Sequence, residues 1–302
     1  MPRRGVFFGP VLFRRKHPDF SIGAPSTERE AEKMQKVAFP MGHYYNPVPS
    51  DEDIEKFIAN RRYDGELHGI DLNLAVQREY YGKLMAFRDG YVWRMEKQPG
   101  LAYYGDNDQF AIACSYPVYA FMRLLRPKHI IEVGSGYSTA IMDDTNRLYL
   151  DNSVEISCIE PYPVRLEETW GDRVEEHVKL YRSLLQDVDL AVFDQLEPGD
   201  ICFIDSSHVA KLGSDVLRIF FELLPRLKPG VIIHFHDIPW PFEYYDYWLR
   251  ENRAWNEVYM LHAFLQYNPD YEIIYWGSSL VYLDDAVPEP DLGGSIWLRK
   301  KR

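Results

Sequence analysis

Acidic and imidazole side chains follow two apolar runs in the second half of the chain. DSSH (205–208) follows the run DICFI, and HD (236–237) follows the run VIIHF. If both runs are parallel strands of one open α/β sheet, these residues lie at the carboxyl ends of the strands, where such sheets bind ligands. A His with a pKa near neutral can take the proton of a hydroxyl while its oxygen attacks a carbon. The pattern therefore predicts Asp205, His208 and His236 as catalytic residues.

A metal ion is an alternative explanation of the same residues. Asp205, His236 and Asp237 carry oxygen and nitrogen ligands that suit Mg²⁺ or Mn²⁺, and a bound metal would acidify a hydroxyl. In a third interpretation the roles are structural, with Asp205 or Ser206 capping the next helix and His236 hydrogen-bonded in the core. The residue types leave the three interpretations open.

A glycine turn and a carboxylate predict where a cofactor binds. GSG (134–136) follows the apolar run 129–133, and its glycines allow a tight turn close to a ligand. Glu160 follows the next strand, 24 residues beyond Gly136, where a carboxylate can accept both hydroxyls of a ribose. Thr139 replaces the third glycine of the dinucleotide pattern, which disfavours a pyrophosphate group. S-adenosylmethionine, which has an adenosine and no phosphate, therefore fits better than NAD.

Strands and helices alternate from residue 110 onward, as apolar runs and helical patterns indicate. Such alternation requires crossover connections and a mostly parallel sheet with both faces covered, so the predicted fold is a doubly wound α/β sheet. The predicted strands are 129–133, 154–159, 177–182, 200–204, 231–235, 271–276 and 295–298, and the main helices are 110–126, 138–149, 212–224 and 255–266. No helical pattern separates the last two strands, which predicts an antiparallel hairpin at one edge of the sheet.

Three regions are predicted along the chain. Residues 1–26 are a basic, poorly ordered tail. Residues 27–109 are a helical cap or lid, with helices at 51–61 and 73–87. Residues 110–302 form the ligand-binding domain.

The composition argues against several classes of protein. The chain has 302 residues and a net charge of −12, whereas a nucleic-acid-binding protein needs a positive field to neutralise phosphates. No uncharged apolar stretch approaches ~18 residues, so no membrane span is expected. The three cysteines include no CxxC pair, which argues against a disulfide framework and suits the reducing cytoplasm.

Five longer stretches carry a resemblance to a known family. They are IIEVGSGYST (130–139), IEPYP (159–163), DICFIDSSHVAKLGSD (200–215), LPRLKPGVIIHFHDIPWPFEY (224–244) and WNEVYMLHAFLQYN (255–268). With them, the chain resembles the class I S-adenosylmethionine-dependent methyltransferases, and more narrowly the bacterial group labelled methyltransferase family 24. The resemblance implies a Rossmann-like sheet of seven strands.

The resemblance also implies roles for single residues. The turn at 134–136 would line the methionine end of the cofactor, Glu160 would hold its ribose and Asp187 would face its adenine. Related metal-dependent O-methyltransferases have an acidic residue after strand four and an acidic pair or Asp-Asn after strand five. Asp205 and Asp237 match these positions, whereas His236 or Ile238 replaces one expected ligand. The full set of predicted cofactor-binding residues is Glu132, Gly134, Ser135, Gly136, Tyr137, Ser138, Glu160 and Asp187.

The expected reaction is methyl transfer from S-adenosylmethionine to a hydroxyl of a small-molecule or carbohydrate-like acceptor. Aromatic residues are 15% of the chain, and aromatic faces suit sugar rings or planar acceptors. Asn256 and Glu257, at a predicted helix start, either reach a substrate hydroxyl or only begin the helix. An NAD-dependent oxidoreductase and a catalytically inactive cofactor-binding module remain the alternatives.

Overall fold

The structure is a computed structural model that describes residues 38–61, 66–284, 287 and 293–302. The tail predicted for residues 1–26 lies outside the described residues, and so does the start of the predicted cap. Residues Met41–Arg302 form one compact unit. The division predicted at residue 109 stays a prediction.

Within the described residues, seven strands form a single sheet in the order β3-β2-β1-β4-β5-β7-β6. The first five are parallel, and β7 is antiparallel to both β5 and β6. This arrangement confirms the predicted α/β doubly wound, mostly parallel sheet. The strands are β1 His129–Val133, β2 Glu155–Ile159, β3 Lys179–Tyr181, β4 Ile201–Ile204, β5 Ile232–Phe235, β6 Tyr271–Trp276 and β7 Ile296–Lys300.

Helices cover both faces of the sheet. Alternate residues of one strand point to opposite faces, so Phe203 of β4 belongs to one apolar cluster while Cys202 and Ile204 belong to the other. Both clusters are buried, which explains why the central parallel strands consist mostly of apolar residues. The helices are α1 Asp51–Asn60, α2 Leu74–Met85, α3 Ile112–Leu125, α4 Tyr137–Tyr149, α5 Val164–Trp170, α6 Val174–His177, α7 Asp215–Arg218, α8 Leu224–Arg226, α9 Asp246–Arg250, α10 Glu257–Leu265 and α11 Gly277–Leu283.

The predicted antiparallel pairing of the last two strands at one edge of the sheet is confirmed, but the prediction that no helix separates them is wrong. Helix α11 lies between the two strands, and β7 is inserted between β5 and β6, which leaves β6 at the edge. Helix α11 has only seven residues and buries Gly277, Ser279 and Leu280, so it is too short to show a helical period in the sequence. Ile296 and Trp297 are fully buried, as expected of a strand with neighbours on both sides.

Two helix starts follow local capping. Ser50 caps α1, where its hydroxyl accepts a hydrogen bond from the Asp53 N–H at 3.2 Å. The helix predicted for 212–224 instead begins at Asp215, because Gly213 has a φ of +71° and Ser214 is the N-cap residue. That helix continues from α7 to α8 through the π-helical turn Ile219–Leu223.

Helix α2 is joined to the edge of the sheet through a buried amide. The Gln77 side chain is fully buried, and its Oε1 accepts a hydrogen bond from the Trp276 N–H at 2.9 Å. The Asn73 side-chain amide donates to the Ile273 carbonyl at 3.2 Å. Part of the predicted cap therefore packs directly against β6. None of the described helices has the length and apolar character needed to cross a lipid bilayer.

Candidate active site

Strand register aligns three residues at one edge of the sheet. Val133 is level with Ile204, and Ile204 is level with Phe235. The next residues in the chain, Gly134, Asp205 and His236, therefore leave the sheet side by side. The Asp205 N–H donates to the Val133 carbonyl at 3.0 Å, and the His236 N–H donates to the Ile204 carbonyl at 2.9 Å. The predicted cofactor turn and the predicted catalytic residues thus lie at one edge.

Position 134 requires a glycine for two reasons. Its φ is +93°, a conformation that residues with a Cβ rarely adopt. A Cβ at this position would lie 2.1 Å from the Asp205 carbonyl oxygen, which is far inside van der Waals contact. The turn after β1 therefore touches the backbone of the residue that follows β4.

The Glu132 carboxyl faces the protein interior instead of the turn. It is fully buried and accepts hydrogen bonds from the hydroxyls of Ser138 at 2.5 Å and Thr139 at 2.6 Å, and from the Cys158 thiol at 3.3 Å. Burial raises its pKa to about 8, against the opposing effect of these donors. Glu132 thus ties β1 and β2 to the first turn of α4. The cofactor contacts predicted for Glu132 and Ser138 stay predictions.

Two polar side chains near the turn have hydrogen-bonding capacity that the described residues do not use fully. The Ser135 hydroxyl oxygen is buried and has no hydrogen-bond partner among the described residues, which is unusual for a buried polar atom. Glu160 is partly exposed, and its Oε1 accepts a hydrogen bond from the Tyr162 N–H at 2.8 Å. The Glu160 carboxylate is therefore held at the end of β2 by the chain that follows it. These groups fit the predicted binding of an adenosine-type cofactor.

The remaining two predicted cofactor-binding residues, Tyr137 and Asp187, lie at the start of α4 and after β3. Tyr137 begins α4, and its hydroxyl lies 3.0 Å from that of Tyr104. Asp187 is exposed in the 3₁₀ turn Leu185–Asp187, which follows β3. The contact predicted between Asp187 and the adenine stays a prediction.

Two Asp and two His converge at the ends of β4 and β5. Asp205 Oδ1 lies 3.3 Å from Nδ1 of His236 and 3.5 Å from Nε2 of His208. Asp237 Oδ1 lies 3.6 Å from Nδ1 of His236, and its Oδ2 lies 4.0 Å from Nε2 of His208. Both imidazoles are buried, whereas the two Asp side chains are partly exposed. The structure therefore brings the predicted catalytic residues together, with the carboxylates toward the cleft.

Charge pairing dominates the electrostatics of this cluster. Burial disfavours the charged forms, but the charge of His236 and the hydrogen bond with His208 hold the pKa of Asp205 far below its usual value. Burial lowers the pKa of His208, but the hydrogen bonds with Asp205 and Glu257 outweigh this effect and raise the pKa to about 10. Asp237 and Asp205 raise the pKa of His236 well above its usual value. At neutral pH the carboxylates are thus balanced by two protonated imidazoles.

Glu257 completes the cluster from α10. Its carboxyl group is fully buried, with Oε2 accepting from Nδ1 of His208 at 2.8 Å and Oε1 accepting from the Ser206 hydroxyl at 3.1 Å. The sequence predicted that Glu257 either reaches a substrate hydroxyl or only begins the helix, whereas in the structure its carboxyl group contacts Nδ1 of His208. Asn256 holds the same loop, since its Oδ1 accepts from the Ala210 N–H at 2.6 Å.

His208 and Asp237 have a strained backbone. Their φ angles are +59° and +55°, in the left-handed region that non-glycine residues seldom occupy. Each such conformation costs about 1–3 kcal/mol and persists only where the surroundings enforce it. The carbonyl of His208 accepts hydrogen bonds from the N–H groups of Asn256 and Glu257 at 3.0 and 3.1 Å, which supports its strained conformation.

The described residues do not fit the predicted metal site. Among them, no group of three or more His, Cys, Asp or Glu side chains is arranged to hold a metal ion. The assignment of Asp205, His236 and Asp237 to Mg²⁺ or Mn²⁺ stays a prediction that this geometry does not support.

Comparison with known proteins shows which family the chain belongs to. Residues 131–238 match the model of a methyltransferase domain, which spans β1 to the end of β5 and contains the whole Gly134–Asp205–His236 edge. A protein of Archaeoglobus fulgidus described as uncharacterized is 32% identical over 187 residues, which cover 58% of this chain and 80% of that protein. The chain therefore belongs to the family of class I S-adenosylmethionine-dependent methyltransferases. This membership decides against the NAD-dependent oxidoreductase alternative.

Solved structures of methyltransferases resemble the chain more distantly. One is the O-methyltransferase TomG from Streptomyces achromogenes, solved with S-adenosylmethionine, with 15% identity, 84% of this chain and 97% of that chain covered, and a TM-score of 0.43. Another is the methyltransferase PaMTH1 from Podospora anserina, with 16% identity, 84% and 98% covered, and a TM-score of 0.43. At these similarities neither structure indicates the acceptor of this chain.

Proposed function

We propose that this enzyme methylates a hydroxyl of a small-molecule or carbohydrate-like acceptor, with His208 as the base. The observation that carries the proposal is the arrangement of His208. Its Nδ1 is occupied by Glu257 at 2.8 Å, and its Nε2 points to the carboxylates of Asp205 and Asp237 at the open edge. Nδ1 is thus held by the buried Glu257, whereas Nε2 faces two partly exposed carboxylates, and an acceptor hydroxyl would approach Nε2 from their side.

The cofactor binds beside this cluster. S-adenosylmethionine supplies a methyl group on a positively charged sulfur. The turn at 134–136 would hold its methionine end, with the Ser135 hydroxyl as a hydrogen-bonding partner, and Glu160 would accept the ribose hydroxyls. Asp187 would face the adenine. Because Gly134 contacts the Asp205 backbone, a cofactor on the turn lies next to the catalytic cluster.

The unprotonated form of His208, whose fraction grows as the pH approaches the His208 pKa of about 10, takes the proton of the acceptor hydroxyl at Nε2. The bound cofactor would supply the methyl group and leave as S-adenosylhomocysteine, and Nε2 of His208 would hold the proton that the acceptor hydroxyl gives up. The negatively charged Glu257 stabilises the imidazolium that results. Holding the hydroxyl in line with the methyl group supplies most of the remaining rate.

His236 orients Asp205 in this proposal. The His236 ring lies against Phe110, with ring centroids 4.8 Å apart, and its Nδ1 is 3.3 Å from Asp205. Trp255 lies 4.6 Å from the His208 ring, centroid to centroid. Trp255 is partly exposed, so its ring beside His208 suits an acceptor with a sugar ring or a planar ring, whereas Phe110 is buried.

Binding and turnover test the proposal separately. We expect calorimetric titration of the wild-type protein to show heat with both S-adenosylmethionine and S-adenosylhomocysteine. S-adenosylhomocysteine release is then measured with panels of polyols, phenols and amines. We expect turnover with a hydroxyl acceptor, lost in His208→Ala and retained in His68→Ala, whose imidazole is exposed. No heat from either ligand in a folded sample would falsify the proposal, and turnover with amines alone would contradict O-methylation.

A further inference from the structure

Two tyrosine hydroxyls meet beside the glycine turn. Tyr137 is the first residue of α4 and directly follows Gly136, and its hydroxyl lies 3.0 Å from that of Tyr104. The two rings are nearly perpendicular, with centroids 5.4 Å apart. The two hydroxyls therefore lie next to the glycine turn, and this turn would hold the methionine end of the cofactor.

An unpaired cation crosses the same turn. A Cβ built on Gly136 would lie 3.3 Å from Cδ of Arg165, so the Arg165 side chain passes over the glycine. Burial raises the pKa of both the Glu160 carboxyl and the Tyr137 hydroxyl, and the Arg165 charge opposes both shifts, so its guanidinium lies near both groups. Among the residues with described positions, the Arg165 guanidinium has no ion-pair partner, although Arg182 nearby in the chain is paired with Glu167.

A second charged residue without an ion-pair partner among the described residues lies near the tyrosine pair. Asp108 is partly buried and follows Asn107, whose side-chain amide donates to the Tyr104 carbonyl at 2.6 Å. Burial is the main reason for the raised pKa of Tyr137, followed by Tyr104, and the charge of Asp108 adds to it. No Lys, Arg or His in the described ranges forms an ion pair with Asp108.

We propose that Arg165 and Asp108 bind the α-amino acid end of the cofactor, with Arg165 on its carboxylate and Asp108 on its ammonium group. This inference rests on the proposed function, because it assumes that S-adenosylmethionine binds at the turn. The methionine end carries one charge of each sign, and the protein presents one unpaired charge of each sign beside that turn. The Tyr104 and Tyr137 hydroxyls lie beside the same turn and can hydrogen-bond to either group.

Ion pairing with a ligand would explain why Arg165 and Asp108 have no partner in the described protein. A partly buried charge without a partner loses hydration and gains little in return, so unpaired Arg and Asp side chains at one site indicate a ligand that completes them. Arg suits this position because its planar guanidinium can donate two parallel hydrogen bonds to a carboxylate.

Cofactor analogues distinguish the two contacts. Decarboxylated S-adenosylmethionine lacks the carboxylate but keeps the amino group, and methylthioadenosine lacks the whole amino acid end. Calorimetry of Arg165→Gln should show at least about tenfold weaker binding of S-adenosylhomocysteine, with binding of both truncated analogues within about twofold of wild type. Asp108→Asn should weaken S-adenosylhomocysteine and decarboxylated S-adenosylmethionine, and leave methylthioadenosine unchanged.

Arg226→Ala is the matched control. Arg226 is exposed, is paired with Asp194 and precedes β5, at the opposite edge of the sheet, so its removal should leave all affinities unchanged. Unchanged methylthioadenosine binding also shows that each variant is folded. Equal loss of all three ligands in Arg165→Gln, or no loss of S-adenosylhomocysteine, would overturn the inference. If the wild-type protein binds none of these ligands, the proposed function itself fails.

Discussion

The Nδ1 atom of His208 lies 2.8 Å from Oε2 of Glu257, although the two residues are 49 positions apart in the chain. Glu257 is fully buried at the start of α10, and its other carboxylate oxygen accepts a hydrogen bond from Ser206. The loop after β4 is therefore fastened to α10 through a carboxylate that water does not reach. This contact orients the imidazole and sets its charge.

Replacing Glu257 by Gln should change the pH dependence of catalysis. The wild-type His208 must lose its proton to act as a base, so kcat/KM should rise with pH toward the His208 pKa of about 10. Glu257→Gln removes a negative charge that raises this pKa, so the rise should move to lower pH. We also expect at least about a tenfold lower rate at the plateau. Measured profiles that coincide for wild type and variant would contradict the role of Glu257; Glu222→Gln, on an exposed side chain, is the control.

Gly134→Ala should lower the free energy of unfolding by more than the strain of a left-handed backbone alone. Gly199 has almost the same φ, +92° against +93°, but a Cβ there meets nothing within 4 Å. Gly199→Ala should therefore lower the free energy of unfolding by about 1–2 kcal/mol through the left-handed backbone alone. Gly134→Ala adds the clash with the Asp205 carbonyl, and we expect a larger loss together with loss of cofactor binding. Equal urea midpoints for the two variants would show that the close approach is unimportant.

The buried Glu132 should make stability depend on pH. Its pKa is raised by burial from about 4.5 to about 8, so the folded protein keeps a proton that the unfolded chain loses between these values. Stability from this group is full below about pH 4.5 and is lost as pH rises through about 8. The slope is at most about 1.4 kcal/mol per pH unit. Urea unfolding from pH 5 to 8 should show a steeper decline in wild type than in Glu132→Gln, and parallel curves would refute the shift.

Chelation should leave the enzyme unchanged. Asp205 and Asp237 face two imidazoles whose pKa values are raised, so protons on His208 and His236 balance the carboxylates. We expect dialysis against EDTA to alter neither the melting temperature nor methyl transfer. A loss of activity that Mg²⁺ or Mn²⁺ restores would instead support the metal assignment made from the sequence.

The sequence predicted the elements whose patterns are local. Parallel strands buried on both faces are short apolar runs, so β1, β2, β4 and β5 were evident, and the residues after them identified one edge of the sheet. The left-handed backbone of His208 and Asp237 could not be read, because tertiary contacts impose it. The role of Glu257 depends on how α10 packs against the loop after β4. In the sequence, Glu257 is an ordinary acidic residue at the start of a predicted helix, so its contact with His208 could not be predicted.

Strand β7 has a consequence for the order of assembly. It pairs with β5 on one side and β6 on the other, and β6 has no other neighbour among the strands of the described residues. During synthesis, β6 therefore emerges from the ribosome before the strand that joins it to the sheet exists. We expect the parallel strands β1 to β5 to associate first and β6, with helix α2 packed against it, to dock only when residues 296–300 have been translated.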